Sequence, residues 1–297
     1  MTAQYIAELD DRAVIRVSGP EARSFLHNLL TCDLETITDG TARYGALLTP
    51  QGKVLVDGFV MTQHPDTLIV DLPRASAAEF LKRLKVYKLR AKVEIADVTA
   101  DHRVYVVWGG AGPPMLPGVV VRDPRLDALG YRAVVPRTAI VAGSGLSGFT
   151  RTDPGAYHAH RIALGVPQSG RDFVLGDAFP HDVDMDQLKG VDFTKGCYVG
   201  QEVVSRMHHR GTARRRIVKA LGEESLPPPG AQILANDRPI GTLGSVAGKA
   251  GLALVRLDRA KAAMDAGETI TADGHPIRLE LPEWAGFGWP ESETKAG

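Results

Sequence analysis

A short segment of the chain, residues 195–202 (KGCYVGQE), contains the residue types of a reactive thiol site. Cys197 precedes the segment QEVVSRMHH, which is predicted to be a helix ending near Gly211, and Lys195 lies two residues before the cysteine. A helix N-terminus and a nearby ammonium both favour the thiolate, which is the form that attacks electrophiles and binds metals. The same residues also fit a small buried side chain in a glycine-rich turn. The residues alone leave both interpretations open.

A basic stretch follows the thiol segment. Residues 203–222 contain no acidic residue, although the whole chain has 35 basic and 35 acidic residues and a formal net charge of zero. The stretch contains Arg206, Arg210, Arg214, Arg215, Arg216 and Lys219. Such a run is either a solvated face or a binding surface for an acidic ligand tail or an RNA backbone. It contains no aromatic residue, so base stacking is not indicated.

The cysteine and histidine content excludes several kinds of site. Two cysteines cannot form a disulfide framework, and they cannot supply the four thiolates of an iron–sulfur cluster. His158 and His160 are two residues apart on a predicted helix, and His208 and His209 are adjacent, so neither pair shares a helix face. We therefore predict no metal site, and a role with clusters requires a cluster held by, or shared with, another protein.

The chain has no feature that targets it to a membrane. Its N-terminus, MTAQYIAELDDRAVIRV, lacks the basic and apolar regions of a signal peptide. It has no apolar run near the roughly 18 residues of a membrane span. The expectation is a cytoplasmic protein without a membrane partner.

The order of predicted elements indicates an α+β protein with three domains and a tail. Residues 1–98 and 99–211 each mix strands and helices, and residues 212–285 contain short strands with tight turns, which are typical of a small β-barrel. Residues 286–297 are predicted to be a mobile tail. Ser18 with Glu21, and Ser76 with Glu79, have the spacing of capping boxes that open helices.

The thiol segment resembles the signature of a known family. The chain is similar to the YgfZ-type folate-binding proteins, relatives of the aminomethyltransferase (T-protein) of the glycine cleavage system, whose signature is Lys-Gly-Cys-(aromatic)-x-Gly-Gln-Glu. Residues 195–202 match it at every fixed position. Residues 17–34 (VSGPEARSFLHNLLTCDL) resemble the first helix of the family, and residues 165–211 resemble the region around the signature. The resemblance covers about residues 1–285.

The resemblance implies both a fold and a role. The fold would be two ferredoxin-like α+β subdomains around a central channel, with a small C-terminal β-barrel. The channel would bind tetrahydrofolate or a derivative. The protein would support iron–sulfur cluster assembly or repair, including that of cluster-dependent tRNA-modifying enzymes. Its partners would be folate and iron–sulfur enzymes or cluster-assembly proteins, and direct RNA binding is not expected.

The resemblance also assigns roles to individual residues. Cys197 would be the functional thiol, with a reaction still to be identified. The surrounding signature residues would shape its site: Lys195, Tyr198, Gly200, Gln201 and Glu202. Asp57 and Asp182 would hold the pterin, and Arg206 and Arg210 would attract the glutamate tail of the folate.

A second functional class is a folate-dependent one-carbon enzyme, either an aminomethyltransferase or a demethylase. Residues 49–60 (TPQGKVLVDGFV) resemble a transferase segment that ends in two adjacent carboxylates. Here only Asp57 remains, followed by Gly58. The loss of one carboxylate leaves open whether the protein catalyses any reaction.

Overall fold

The computed structural model describes residues 3–110, 112–139, 148–211 and 213–291. The chain divides into two compact units, Met1–Tyr157 with Leu188–Val203, and His158–Gln187 with Val204–Gly297. The α-helices of the described residues are α1 (Ala22–His27), α2 (Ala77–Lys88), α3 (Pro154–Ala163), α4 (Gln201–Arg210) and α5 (Leu257–Asp265). None of the described helices is long and apolar enough to cross a membrane.

The first unit contains two sheets. The first sheet has the order β3-β4-β5-β2-β6 and is antiparallel throughout. Its strands are β2 (Arg12–Ser18), β3 (Ala42–Leu48), β4 (Val54–His64), β5 (Thr67–Pro73) and β6 (Glu94–Asp97). The apolar faces of α1 and α2, including Phe25, Leu26 and Phe80, pack with strand residues in one buried core. Each of these strands was predicted from its apolar residues.

The second sheet of this unit has the order β10-β1-β7-β9-β8. Its strands are β1 (Tyr5–Glu8), β7 (His102–Trp108), β8 (Val119–Arg122), β9 (Tyr131–Pro136) and β10 (Thr150–Arg151). The prediction missed β1 and β10, which are four and two residues long. Strands this short carry too few residues for a period-two pattern. β1 is defined by its pairing with β7, and β10 by its pairing with β1.

A buried ionic network joins the two sheets. Asp71 on β5 is fully buried and accepts hydrogen bonds from Arg12 on β2 at 2.6 Å and Arg132 on β9 at 2.7 Å. Arg132 also lies 3.7 Å from Asp123, which pairs with Arg125 at 2.8 Å. Burial acts to raise the pKa of Asp71, but Arg12 and Arg132 outweigh it and lower this pKa below its usual value. The carboxylates therefore stay charged and hold the arginines in place.

The ring of Phe59 on β4 lies beneath this network. Its centroid is 4.0 to 5.7 Å from the guanidinium carbons of the three arginines of the network. Guanidinium groups stack favourably on aromatic faces, particularly where water is excluded. The ring of Phe59 thus stabilises the three guanidinium groups on the side that the carboxylates do not contact.

The second unit contains a closed barrel with the strand order β11-β14-β13-β12-β15-β16. Its strands are β11 (Arg215–Gly222), β12 (Gln232–Ala235), β13 (Arg238–Ala247), β14 (Ala250–Arg256), β15 (Ile270–Ala272) and β16 (His275–Glu280). The α+β prediction with a C-terminal barrel is confirmed. The prediction missed β15 and α5. Leu257, Ala260 and Ala263 form the buried face of α5, at a helical spacing that follows directly after β14.

The capping predictions were partly wrong. The first helix begins at Ala22, after Glu21 rather than after Ser18, and the Glu21 carboxylate instead accepts the backbone N–H of Lys92. Ser76 is the N-cap of α2, but its side chain makes no capping hydrogen bond. Asp153 caps the start of α3 as predicted, because its carboxylate accepts the N–H of Ala156 at 3.0 Å.

The division into 1–98, 99–211 and 212–285 stays a prediction, since the compact units are discontinuous in sequence. Part of the predicted mobile tail has an ordered place in the second unit. Phe287 and Trp289 pack against the barrel core, and the Phe287 ring lies 4.6 Å from the guanidinium carbon of Arg216. The remainder of that tail, 292–297, lies outside the described residues.

The buried network predicts a large stability loss on removing one charge. Arg132→Met leaves Asp71 and Asp123 short of a buried cation, so we expect the free energy of unfolding to fall by about 3–5 kcal/mol. Urea denaturation followed by circular dichroism measures it. Arg122→Met on β8 is the matched control, because the polar contacts of Arg122 are exposed, an ion pair with Asp127 at 3.5 Å and a hydrogen bond to the Tyr131 hydroxyl at 3.1 Å. A wild-type midpoint for Arg132→Met would show that the network does not stabilise the fold.

Candidate functional site

The two cysteines have opposite environments. Cys197 is exposed in the segment that precedes α4, four residues before Gln201. Cys32 is buried, and burial raises its pKa to about 12, although Lys195 acts to lower it. A thiol with so high a pKa stays protonated and unreactive at neutral pH. Cys197 is therefore the thiol that the protein presents to solvent, and the interpretation as a buried small side chain is wrong.

Lys195 fixes the thiol segment to the end of α1. Its side chain is half-buried, and its ammonium donates hydrogen bonds to the backbone carbonyls of His27, Leu30 (2.7 Å) and Cys32 (2.9 Å). An ammonium has three N–H donors, so all three are used. His27 is the last residue of α1, and the final carbonyls of a helix lack intrahelical partners and carry the negative end of its dipole, which favours a cation there. Leu30 and Cys32 belong to the turn that follows the helix. The proposed influence of Lys195 on the thiol stays a prediction.

Backbone contacts around Thr31 strengthen this attachment. The N–H of Asp192 donates to the carbonyl of Thr31 at 2.9 Å, and the hydroxyl of Thr31 donates to the carbonyl of Gly190 at 2.5 Å. One carboxylate oxygen of Asp192 then accepts the backbone N–H groups of Thr194 (2.8 Å) and Lys195 (3.0 Å). Burial acts to raise the pKa of Asp192, but the hydrogen bonds lower it below its usual value. Residues 190–195 thus form a fixed base for Cys197.

The two signature glycines differ in what they require. Gly200 has a φ of +80°, and a Cβ there would lie 2.6 Å from the carbonyl oxygen of Thr49. It packs against the turn that contains Gly52, which also has a φ of +80°. Gly196 is exposed, and a Cβ added there meets open space. The close approach expected of a glycine therefore occurs at Gly200, and the structure it approaches is the turn of residues 49–53.

The remaining signature residues line the same segment. The Tyr198 ring is buried, and its centroid lies 5.4 Å from the Lys195 ammonium. Burial raises the pKa of Tyr198 to about 12, so its hydroxyl stays neutral. Gln201 and Glu202 form the first turn of α4, where the negative charge of Glu202 is favourable next to the helix dipole.

Asp57 on β4 has an unusual environment. It is buried, and one carboxylate oxygen accepts the Tyr44 hydroxyl at 2.9 Å. The other oxygen, Oδ1, has no hydrogen-bond partner within the part of the chain that the structure describes. A buried unpartnered carboxylate oxygen is costly and marks a place where a donor would bind favourably. The described cavity that Asp57 lines is only about 10 Å³, so a ligand there requires neighbouring side chains to move.

The backbone next to Asp57 explains the missing second carboxylate. A Cβ added at Gly58 would lie 2.6 Å from the backbone oxygen of Asp71 on the neighbouring strand. That contact is shorter than any real Cβ contact, so no side chain fits at position 58 without a backbone shift. The absence of a carboxylate pair is therefore built into how β4 and β5 pack.

Three predicted site residues belong to the second unit. Asp182 is buried in the 3₁₀ turn His181–Val183, and its carboxylate accepts Arg215 at 2.9 Å and the N–H of Phe179 at 3.1 Å. Arg206 and Arg210 are exposed and lie one helical turn apart on α4. The other predicted site residues lie in the first unit: Asp57 on β4, and Lys195, Cys197, Tyr198, Gly200, Gln201 and Glu202 in the thiol segment and the start of α4.

The sequence analysis missed a charged cavity in the second unit. Its volume is about 860 Å³, and its lining includes Asp186, Arg216 and Phe287. Arg216 donates to Asp186 at 2.9 Å and to the carbonyl of His181 at 2.7 Å. Asp184 beside them is fully buried, and burial raises its pKa well above the usual value, although Arg216 opposes this. The signal was the repeated aspartate in residues 182–186 (DVDMD), which has no reason to recur in a simple loop.

One group of possible metal ligands occurs among the described residues. His27, Asp33 and Glu35 place their ligand atoms within 4.8 Å of one another. The Nδ1 atom of His27 already accepts the N–H of Leu34 at 3.2 Å, and Asp33 accepts the N–H of Glu35 at 2.8 Å. These bonds order the turn after α1, and the prediction of no metal site stays a prediction.

Comparison with known proteins first defines the class. Residues 3–143 match the GCVT N-terminal domain family, and residues 214–287 match the CAF17 C-terminal beta-barrel domain family. The crystal structure of the glycine cleavage system aminomethyltransferase T from Bartonella henselae has the same fold, with a TM-score of 0.74. Its sequence is 16% identical, and the match covers 94% of this chain and 85% of that one. The chain thus has an aminomethyltransferase-like fold with a CAF17-type barrel.

Relatives at higher identity define the family. The human mitochondrial iron–sulfur cluster assembly factor IBA57 is 30% identical over 95% of this chain and 84% of its own length. The IBA57 homologue of Mycosarcoma maydis is 28% identical over 97% of this chain and 85% of its own. The chain belongs to the IBA57 family. The resemblance to aminomethyltransferase relatives is confirmed at this level.

The expected cytoplasmic location is contradicted by these relatives. IBA57 proteins from four organisms all carry the word mitochondrial in their names, which points to the mitochondrion instead. The expectation rested on the missing signal peptide and the missing membrane span. Neither feature distinguishes between compartments that hold soluble proteins.

The geometry of the thiol segment predicts a contrast between its two glycines. Gly200→Ala forces a side chain into the left-handed region and against Thr49, so we expect a loss of at least about 1–2 kcal/mol of unfolding free energy. Gly196→Ala is the matched control and should change stability by less than about 0.5 kcal/mol. Urea denaturation measures both. Equal losses for the two variants would show that the contact with the 49–53 turn is not required.

Proposed function

We propose that this protein is an iron–sulfur cluster assembly factor of the YgfZ type that binds tetrahydrofolate or a derivative. Its relatives are named as iron–sulfur cluster assembly factors, which supports the first part. The observation that carries the proposal is the exposed Cys197 thiol on a segment fixed to α1 through Lys195. A rigid base and a free thiol are what a transient cluster ligand or thiol carrier requires.

The number of available thiols limits how the protein acts on clusters. Cys32 is buried and protonated, so this chain offers a single exposed thiol, that of Cys197. A cluster needs about four ligands, so the other ligands must come from another protein. The partners are therefore iron–sulfur enzymes or cluster-assembly proteins, and cluster-dependent tRNA-modifying enzymes are among the proposed clients. Cys197 would contact the cluster, or a thiol that holds it, during transfer.

Asp57 is the residue that best fits a folate. The 2-amino-pyrimidinone edge of a pterin carries N–H donors, and the buried Oδ1 of Asp57 is an acceptor without a described partner. Burial would strengthen such a bond, because water does not compete for it. A bound tetrahydrofolate would supply a carrier for one-carbon units. The side chain of Asp57 would hold and orient its pterin, with Tyr44 keeping the second carboxylate oxygen in place.

The second unit has groups of its own that suit an acidic ligand. Arg206 and Arg210 are exposed on one face of α4, and folate tails carry one or more glutamates. Asp182 is proposed to contribute to pterin binding, although its carboxylate is already held by Arg215.

A one-carbon transferase is the alternative function, and the packing of β4 disfavours it. Transferases of this fold class would place a second carboxylate at position 58, where Asp71 leaves no space for a side chain. We therefore favour folate as a bound effector or structural ligand over folate as a substrate.

The cluster role predicts that Cys197 is required and Cys32 is not. In a strain lacking this protein, Cys197→Ala should fail to restore the activities of 4Fe–4S enzymes, while Cys32→Ala restores them. Both variants must accumulate to wild-type levels, which immunoblotting checks. Full restoration by Cys197→Ala would remove the thiol from the mechanism.

The folate role predicts a specific loss at Asp57. Titration calorimetry with tetrahydrofolate should show saturable binding, and Asp57→Asn should weaken it by about tenfold or more, because an amide oxygen cannot accept from both the Tyr44 hydroxyl and the pterin at the two positions that the carboxylate oxygens occupy. Asp66→Asn, which changes an exposed aspartate after the same strand, is the control and should bind as wild type. If titration of the wild-type protein produces no heat of binding, folate binding is refuted and the cluster role is unaffected.

A further inference from the structure

The C-terminal end of α2 carries a second basic run that the analysis of residues 203–222 overlooked. Between Leu81 and Val93 the chain has no acidic residue. It contains Lys82, Arg83, Lys85, Lys88, Arg90 and Lys92. We call the surface formed by residues 82–92 the α2 patch. In a chain of zero net charge, it is a strong local concentration of positive charge.

The patch lies on the outer face of α2. Ala77, Phe80 and Leu84 are buried in the core of the first sheet, so this helix has its apolar face turned inward. The basic side chains of Lys82 and Lys85 are exposed on the opposite side. Arg83 is held by Glu79 at 2.7 Å, so it contributes less free charge than the others.

Two large apolar side chains lie exposed in the middle of this basic surface. Val86 is 62% exposed and Leu89 is 88% exposed. Residues 82, 85 and 86 share one face of α2, because they are three or four positions apart, and Leu89 directly follows the last residue of the helix. Exposed aliphatic side chains among lysines do not increase solubility, since their contact with water is unfavourable.

The backbone at Leu89 holds its side chain outward. Leu89 has a φ of +43°, a conformation that a branched side chain rarely adopts. The turn is fixed on both sides, by the N–H of Ala91 donating to the carbonyl of Lys88 at 2.7 Å and the N–H of Lys92 donating to Glu21 at 3.1 Å. A strained residue that is kept in place and points into solvent marks a contact point.

We propose that the α2 patch binds the surface of a membrane that contains anionic lipids. The basic side chains contact the lipid head groups, and the side chains of Val86 and Leu89 enter the boundary between head groups and acyl chains. Lysine suits this role because its long apolar stem can lie along the acyl chains while its mobile ammonium reaches the head groups.

The composition of the patch distinguishes this partner from two others. Protein interfaces are enriched in Tyr, Trp and Arg and depleted in Lys, whereas the exposed cations here are mainly lysines. Single-stranded nucleic acid sites need exposed aromatic rings for stacking, and Tyr87 is the only aromatic residue between positions 82 and 92. An aliphatic tip such as Leu89 gains little from a phosphate backbone and much from lipid.

The three nearby carboxylates offset only part of the charge of the six basic residues, so the patch keeps a net positive charge. Glu79 is paired with Arg83, Glu21 accepts the Lys92 backbone N–H, and Glu94 is exposed at the start of β6. The proposal departs from the expectation of no membrane partner, which rested on the whole-chain charge and on the missing membrane span. Neither observation addresses binding at a membrane surface through one local patch.

Vesicle flotation with the full-length protein tests the proposal. Phosphatidylcholine vesicles with phosphatidylserine should carry the protein to the top of the gradient, and vesicles of phosphatidylcholine alone should not. The double variant Lys85→Glu/Lys88→Glu should reduce partitioning by at least about 30-fold, and Leu89→Ser by about tenfold.

The control has the same change in charge at a different place. Arg238→Glu/Lys249→Glu alters two exposed basic residues of the barrel and should float like the wild-type protein. Circular dichroism checks that all variants are folded. An unfolded Lys85→Glu/Lys88→Glu variant is replaced by Lys85→Gln/Lys88→Gln, for which about 30-fold is still expected.

Three outcomes would overturn the proposal. The wild-type protein fails to float with anionic vesicles, or the barrel control loses as much binding as the patch variant. In the third outcome, the protein binds tRNA through the same lysines, Leu89→Ser has no effect on that binding, and the protein does not bind vesicles. This result would assign the patch to nucleic acid.

Discussion

The position of the exposed thiol depends on one interaction, the ammonium of Lys195 with three backbone carbonyls at and just after the end of α1. They are the carbonyls of His27, the last residue of α1, and of Leu30 and Cys32 in the turn that follows, and the segment before Cys197 has little secondary structure of its own. The ammonium therefore satisfies these carbonyls, and the carbonyls hold the segment in place. Thr31 and Asp192 add backbone hydrogen bonds to the same junction. The thiol is consequently exposed on a segment that these hydrogen bonds hold rigidly in place.

The same unit stabilises itself through buried charge as well as through apolar packing. The network centred on Asp71 and Arg132 joins the two sheets of this unit. Removing such charges from water is costly, and the cost is offset only because each carboxylate has more than one cation and Phe59 covers the guanidinium groups. Asp57 lies beside this network, and its Oδ1 atom accepts no hydrogen bond from the described residues.

The relation to the aminomethyltransferase is one of fold. The architecture agrees over most of the chain with a transferase at 16% identity. At position 58 the backbone oxygen of Asp71 leaves no space for a side chain, so the packing of β4 against β5 fixes a single carboxylate, Asp57, at this point of the strand. A shared fold leaves the chemistry open, because function depends on the residues of the site and not on the framework.

The sequence by itself determined the elements with strong periodicity and the barrel, and it singled out residues 195–202 as a candidate site. These follow from local patterns and from a signature that is contiguous in the chain. It could not determine β1, β10 or the target of Lys195, because strands this short and contacts over more than 160 residues exist only after the chain has folded. It also treated both glycines alike, whereas only Gly200 meets another backbone. The tertiary structure decided which cysteine is exposed, since burial depends on neighbours that are distant in sequence.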